Sequence, residues 1–270
     1  MNDTNVQSDT VLVERHGTTL VVSINRATVR NAVDSPTARQ LAAAFIDFEC
    51  DESLKVAVLT GRGGHFCAGA DLKAIGAEAF AKLPVLSADS DPLNVSGPMG
   101  PSYLQLSKPV IAAIEGYAVA GGLELACWCD LRVVADDAIF GVFCRRWGVP
   151  LIDGGTVRLP RLIGQSRAMD MVLTGRPVGA REAEQFGLAN RIVESGRALP
   201  AALELAEQLA AFPQTCLRND RLSLQQQWGM GVAEALANEN RLGRETSASG
   251  ETTLGAQKFS QGAGRQGKFD

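Results

Sequence analysis

Over most of its length the chain alternates short apolar, β-rich runs with amphipathic stretches of helical period, the pattern of an α/β protein. Residues 11–15 and 19–24 are β-rich and flank His16-Gly17-Thr18, which predicts a hairpin. Ser35-Pro36 supplies an N-cap and a proline for a first helical turn, after which Ala38, Leu41, Ala42, Phe45 and Phe48 recur on one face. Strands are predicted over 56–60, 110–114 and 131–135, and helices from about Asp71, over 121–129, and over 166–173 and 180–186, the last two closed by Gly175 and Gly187. Residues 84–101 carry Pro, Gly, Ser and Asp with little periodicity and read as a long mobile loop able to gate a site.

From Leu199 onward the β signal fades. Leu199, Leu203, Ala206 and Leu209 share a helical face within 198–211, and a further helical run covers 214–242. A boundary near residue 200 therefore separates a β/α core, 1–200, from a helical region, 201–270. The stretch 247–270 is polar and glycine-rich, with Phe259 and Phe269 as its strong anchors, and is expected to order only where something packs on it.

Composition narrows the function classes. With 46% hydrophobic and 21% charged residues the chain has an ordinary globular balance, and a net charge of −4 speaks against non-specific nucleic-acid binding. Its polar first ten residues show no leader pattern and no apolar run is long enough to cross a bilayer, so no membrane partner and a cytoplasmic setting are expected. The six cysteines lie among apolar neighbours and read as reduced thiols. Cys127 and Cys129 are separated by a single residue, and His16 and His65 are the only histidines, so no metal site is expected.

The candidate chemistry sits in two glycine-rich turns, 61–72 (GRGGHFCAGADL) and 116–125 (GYAVAGGLEL), each following a β-rich run and leading into a helical stretch. Small residues at such turns let main-chain N–H groups from separate segments approach one oxygen, the geometry of an oxyanion hole. Gly61-Arg62-Gly63 is not a dinucleotide fingerprint, because Phe66 occupies the position of its third glycine.

Together with Asn25-Arg26, Asn31-Ala32 and Thr174-Gly175-Arg176 with Ala180, Ala183 and Gly187-Leu188, these turns resemble, in order and spacing, the enoyl-CoA hydratase/isomerase (crotonase) family over nearly the whole chain. The resemblance implies a crotonase-like spiral of β-β-α units followed by C-terminal helices, assembled as a homotrimer or homohexamer. It implies an acyl-coenzyme A thioester as substrate and no permanently bound cofactor. The family's oxyanion donors fall on the backbone N–H groups of Ala70 and Gly121. Arg26, Ala27, Ala68, Ala70, Asp71, Leu72, Lys73, Gly121 and Cys144 fall on its substrate path, and Arg26, Arg30, Arg62 or Lys73 are candidates to meet coenzyme A phosphates.

In the family's hydratases two glutamates face each other across the substrate, one activating the water that adds to C3 and the other serving C2. The first maps onto Glu124; the second falls on Cys144. A neutral thiol is a poor substitute for a carboxylate that must orient water. Asp153 lies one residue beyond the position where some isomerases of the family place a catalytic aspartate, and its bland role is to cap a helix starting near Gly154. Glu124 has a bland role as well, pairing with Arg145 or Arg146; those two arginines are expected in ion pairs at a subunit contact, with binding of a polar group in the acyl pocket as the alternative, and Cys144 is expected to serve as a small apolar side chain rather than as a thiolate that they activate. Three readings follow: an enoyl-CoA hydratase-like enzyme, an isomerase using one carboxylate (Glu124 or Asp153), and a non-catalytic acyl-CoA binding protein.

Overall fold

The computed structural model describes residues 9–74 and 95–264. The chain divides into two compact units, one ending at Glu207 and the other beginning at Gln208. The division falls within a helix, a few residues beyond the composition change.

The first unit is built on a six-stranded sheet in the order β1-β2-β3-β4-β6-β9. β1 (Val11–His16) and β2 (Thr19–Ile24) form the expected antiparallel hairpin, closed by Gly17 at φ 59°. β3 (Val56–Gly61), β4 (Val110–Ile114), β6 (Leu131–Ala135) and β9 (Arg191–Val193) then add in parallel. β2, β3 and β4 are buried almost throughout, which is why they read as continuous apolar runs rather than as an alternation.

A smaller sheet joins β5 (Tyr117–Val119) and β7 (Ile139–Gly141), each the second strand of a repeat, with β8 (Val178–Gly179), which pairs antiparallel with β7. β4 enters the large sheet, β5 leaves it for the small one, and α2 (Gly121–Trp128) follows. β6 and β7 repeat the path, β6 pairing with β4 and β7 with β5. That repetition is the β-β-α spiral. The strands of the small sheet are two or three residues long, too short for periodicity to register.

α1 (Ser35–Cys50) packs its apolar face, including Leu41, Phe45 and Phe48, into the core. Its cap is Asp34, not Ser35: the Asp34 carboxylate accepts from Thr37 N–H at 2.9 Å, and Ser35 and Pro36 lie inside the first turn. Two buried cations close helix ends where sequence gives no hint. Lys108 Nζ donates to the carbonyls of Phe48 at 2.7 Å and Asp51 at 2.8 Å, at the end of α1. Arg132 donates to Ala126 and Cys129 carbonyls at the end of α2.

α3 (Gly155–Ile163), α4 (Gln165–Thr174), α5 (Ala180–Phe186) and the start of α6 (Ala198–Ala211) complete the unit. Most of the predicted helix from Asp71 and residues 84–94 of the predicted mobile loop lie outside the described residues; 71–74 form a turn. The described end of that loop is packed: Gly97 and Gly100 exchange backbone hydrogen bonds at 2.8 and 2.9 Å, and a single 3-10 turn, Pro101–Tyr103, follows.

The second unit contains α7 (Gln214–Gln226), α8 (Val232–Ala248) and α9 (Glu251–Ser260). The single helical run predicted over 214–242 is two helices, because Gly229, at φ 90°, breaks the path between them. The polar stretch after Ser247 is helical over 251–260, and the Glu251 carboxylate accepts from Thr215 and Cys216 N–H at 3.0 and 2.9 Å, capping α7. Phe259 is exposed, and Phe269 lies outside the described residues.

Candidate active site

The two glycine-rich turns lie side by side. Cys67 N–H donates to the Tyr117 carbonyl at 2.9 Å and Val119 N–H to the Cys67 carbonyl at 3.1 Å, tying the first turn to β5. The approach is close: a Cβ at Gly122 would lie 2.1 Å from the Cys67 carbonyl oxygen, and one at Gly69, at φ 96°, would meet Ala120 Cβ at 2.8 Å and Gly121 N at 3.0 Å. Ala120 itself has φ 54°, an uncommon conformation for a residue with a Cβ, at the junction of β5 and α2.

This packing brings together the segments that carry the two candidate main-chain donors. Val33 N–H bonds the Gly69 carbonyl and Asp71 N–H bonds the Val33 carbonyl, both at 2.8 Å, so the intervening Ala70 N–H faces away from that ladder. Gly121 N–H belongs to the first residue of α2, where helical N–H groups have no partner within the helix. Ala70 and Gly121 both line a cavity of about 410 Å³.

Glu124, one turn along α2, enters the same cavity from behind and is 2% exposed. Its Oε1 accepts from Asp153 N–H at 2.9 Å and Gly155 N–H at 2.8 Å. Burial, and then the nearby Asp153 charge, push the Glu124 carboxyl up to about 7, the two N–H bonds and Arg158 opposing. The predicted pairing with Arg145 or Arg146 is not found. Arg145 donates to the Val172 carbonyl, and Arg146 donates to the Gly175 carbonyl and lies over the Phe143 ring, neither lining the cavity.

Asp153 also lines the cavity and is buried. It does not cap α3. The cap position is Gly154, at φ 92°, and the Asp153 carboxylate turns the other way, accepting from Met99 N–H at 2.9 Å and from the Ser102 hydroxyl. Burial raises its carboxyl, while the Ser102 and Met99 bonds and Arg158 lower it.

Cys144 lines the cavity, and its surroundings do not favour the alternative reading as a thiolate. Burial and the Glu124 charge raise its thiol, outweighing Arg145, so it is protonated near neutrality.

Among the other predicted residues, Ala68, Asp71 and Leu72 line the cavity, whereas Arg26, Ala27 and Lys73 do not. Arg26 is committed to Asp34 and Asp71, each at 3.0 Å, and to the Ala32 carbonyl. Arg62 pairs with Glu14 at 2.6 Å. Of the phosphate candidates, Arg30 is the one that reaches the cavity, 5.4 Å above the Tyr117 ring. Tyr117, Phe143, Trp147 and Met99 complete its apolar wall. They come from three separate segments, Phe143 and Trp147 sharing one, and nothing in the local sequence marks those segments as neighbours. Among the described residues no helix is long and apolar enough to cross a membrane, and no His, Cys, Asp and Glu cluster could hold a metal.

The chain matches the enoyl-CoA hydratase/isomerase family model over residues 14–264. It belongs to the enoyl-CoA hydratase/isomerase family. Enoyl-CoA hydratase EchA19 of Mycobacterium tuberculosis is 36% identical over 257 residues, covering 93% of each chain. Carnitinyl-CoA dehydratase of Escherichia coli K12 is 38% identical over 203 residues, 75% of each. The crystal structure of enoyl-CoA hydratase EchA1 from Mycobacterium marinum superposes with a TM-score of 0.84 at 35% identity, covering 93% of this chain and 96% of that one. The enoyl-CoA hydratase/isomerase fold, an α/β spiral followed by helices, is thus the fold of this chain.

Proposed function

We propose that this protein is an enoyl-CoA hydratase-like enzyme, adding water across the double bond of a 2-enoyl-coenzyme A thioester to give the 3-hydroxyacyl thioester. The observation that carries this reading is that Ala70, Gly121 and Glu124, whose buried carboxyl is brought to about 7, line one cavity. The thioester oxygen would accept from Ala70 and Gly121 N–H. Glu124 takes a proton from water as the water oxygen bonds to C3, and the resulting enolate charge rests on the thioester oxygen between the two donors. The proton then passes from Glu124 to C2, so one carboxyl both accepts and returns it. A group titrating near the working pH suits both halves of that cycle.

The test is to incubate pure protein with short, medium and long 2-enoyl-CoA thioesters and follow loss of the conjugated thioester absorbance. Turnover with at least one chain length is expected, and none with any would refute the reading. Cys144, protonated where the second family glutamate is expected, favours a second reading, an isomerase that moves a proton with Glu124 or Asp153. Deuterium exchange at C2 without net hydration would identify it, and tight thioester binding without exchange would mark a non-catalytic binder. A homotrimer or homohexamer is supported by the exposed Leu224, Trp228 and Leu236 of the second unit and is read out by light scattering.

A further inference from the structure

Behind the two carboxyls stands a cation whose own hydrogen bonds go to neither of them. Arg158, in the first turn of α3, donates through Nη1 to the Asp153 carbonyl at 2.9 Å and through Nη2 to the Ser102 carbonyl at 2.8 Å. Each of those carbonyls belongs to a segment that holds a carboxyl by other groups. The segment around Met99 and Ser102 supplies the N–H and hydroxyl that fix Asp153; the turn at 153–155 supplies the two N–H groups that fix Glu124. The guanidinium fork is therefore a further tie between the two cradles, beside the bonds of Asp153 to Met99 and Ser102 and the bond of the Tyr103 hydroxyl to the Ile152 carbonyl, and it is the one that brings a charge. Gly154 makes room for it, since a Cβ there would lie 2.2 Å from Nη1.

We propose that Arg158 is a positioning residue: it clamps the segment at 99–102 to the turn at 153–155, and so aims both carboxyls into the cavity while placing a positive charge behind them. The proposal rests on the reading of Glu124 as the acid–base group. A planar fork with fixed donor directions suits this task, and a lysine supplies the charge without the double tie. Titratable and charged groups face Glu124 from every side of its pocket: Asp153 from the turn, Arg158 from α3, Cys127 from α2 itself, Cys144 from the segment after β7, and Tyr103 from the 3-10 turn. Arg158 opposes the upward push on both carboxyls.

The test uses the full-length protein with Arg158→Lys and Arg158→Met, and reads the Glu124 carboxyl directly by infrared titration of its protonated C=O band, assigned as the band lost in Glu124→Gln. In Arg158→Met the titration midpoint is expected to rise by about one pH unit. In Arg158→Lys it should stay near the wild-type position, while kcat falls on the order of tenfold with KM little changed, because the charge is kept and the aim is lost. An unmoved midpoint in a folded Arg158→Met protein overturns the proposal, as does an Arg158→Lys enzyme with wild-type kcat. Should circular dichroism show Arg158→Met unfolded, Arg158→Gln, which keeps a donor and removes the charge, takes its place with the same expected shift. If wild-type protein turns over no enoyl-CoA, the substrate reading fails, and the infrared midpoints still decide the role of Arg158.

Discussion

The two sides of the cavity are made of different material. On one side the proposed donors are main-chain N–H groups of Ala70 and Gly121, set by backbone bonds among residues 33, 67–71 and 117–119. On the other side the proposed working groups are side chains, Glu124 and Asp153, each held by two bonds from a different stretch of chain. A donor made of backbone survives substitution as long as the turn keeps its path, whereas a side-chain group is lost in one step. By the family resemblance, the second side is where the sequence is expected to depart, at Cys144, and the first is where it is expected to hold to the pattern.

The sharpest way to break that contrast is on the carboxyl side. Glu124→Gln keeps the shape and loses the titrating proton, so kcat for 2-enoyl-CoA should fall about 10²–10⁴-fold, the range for losing a general acid–base group. Retained activity would move the acid–base role away from α2. On the backbone side, no ordinary side-chain exchange removes the donor, but Gly121→Pro does. Proline is tolerated at a first helical position, where its missing N–H breaks no helical bond. Because a Cβ at 121 would lie 2.7 Å from Met99 Sδ, the substitution is made together with Met99→Ala, which alone serves as the control. The double variant should lose about 10²–10³-fold in kcat relative to that control. Equal rates would mean that Gly121 N–H does not carry the enolate charge.

The same division explains what could be read from sequence. The amide side was legible because tight approach demands glycine, and glycine spacing is a one-dimensional signal: 61–72 and 116–125 marked both turns. The long buried strands and α1 were legible from their apolar patterns for the same reason. On the carboxyl side Glu124 and Asp153 were named through the family resemblance and both line the cavity, but how they are held was not legible, because contact between distant segments decides it. Asp153 read as a helix cap from its place before Gly154, and only the folded chain brings Met99 and Ser102 to its carboxylate. Arg158 carried no signal, since an arginine in the first turn of a helix is ordinarily solvated. Lys108 and Arg132, buried at helix ends, were hidden in the same way.

Stability against pH offers a smaller test of the carboxyl side, independent of any substrate. The Glu124 carboxyl is raised from 4.5 to about 7 in the folded protein. Between those values the folded state holds a proton that the unfolded state has released. Its contribution is therefore fully present below about pH 4.5 and lost as pH rises through about 7, on the order of 3 kcal/mol for a shift of this size. Denaturant midpoints measured from pH 5 to 8 should fall more steeply for wild type than for Glu124→Gln. Parallel curves would mean that Glu124 is not buried in protonated form.

Cys144 gives the finest discrimination, because it asks what occupies the place where the family's second carboxylate is expected. Burial and the Glu124 charge keep its thiol protonated, while Cys50 is exposed. Thiol titration with a disulfide reagent at pH 8 should therefore show a fast phase from Cys50 and a separate phase for Cys144 slower by roughly tenfold or more, since only the thiolate reacts. Cys144→Ala assigns the phase by removing it. In Glu124→Gln that phase should quicken, because the neighbouring negative charge has gone. A Cys144 that reacts as fast as Cys50 in the wild-type protein would be a thiolate beside Glu124, and the carboxyl side would then hold a nucleophile where a neutral wall is expected.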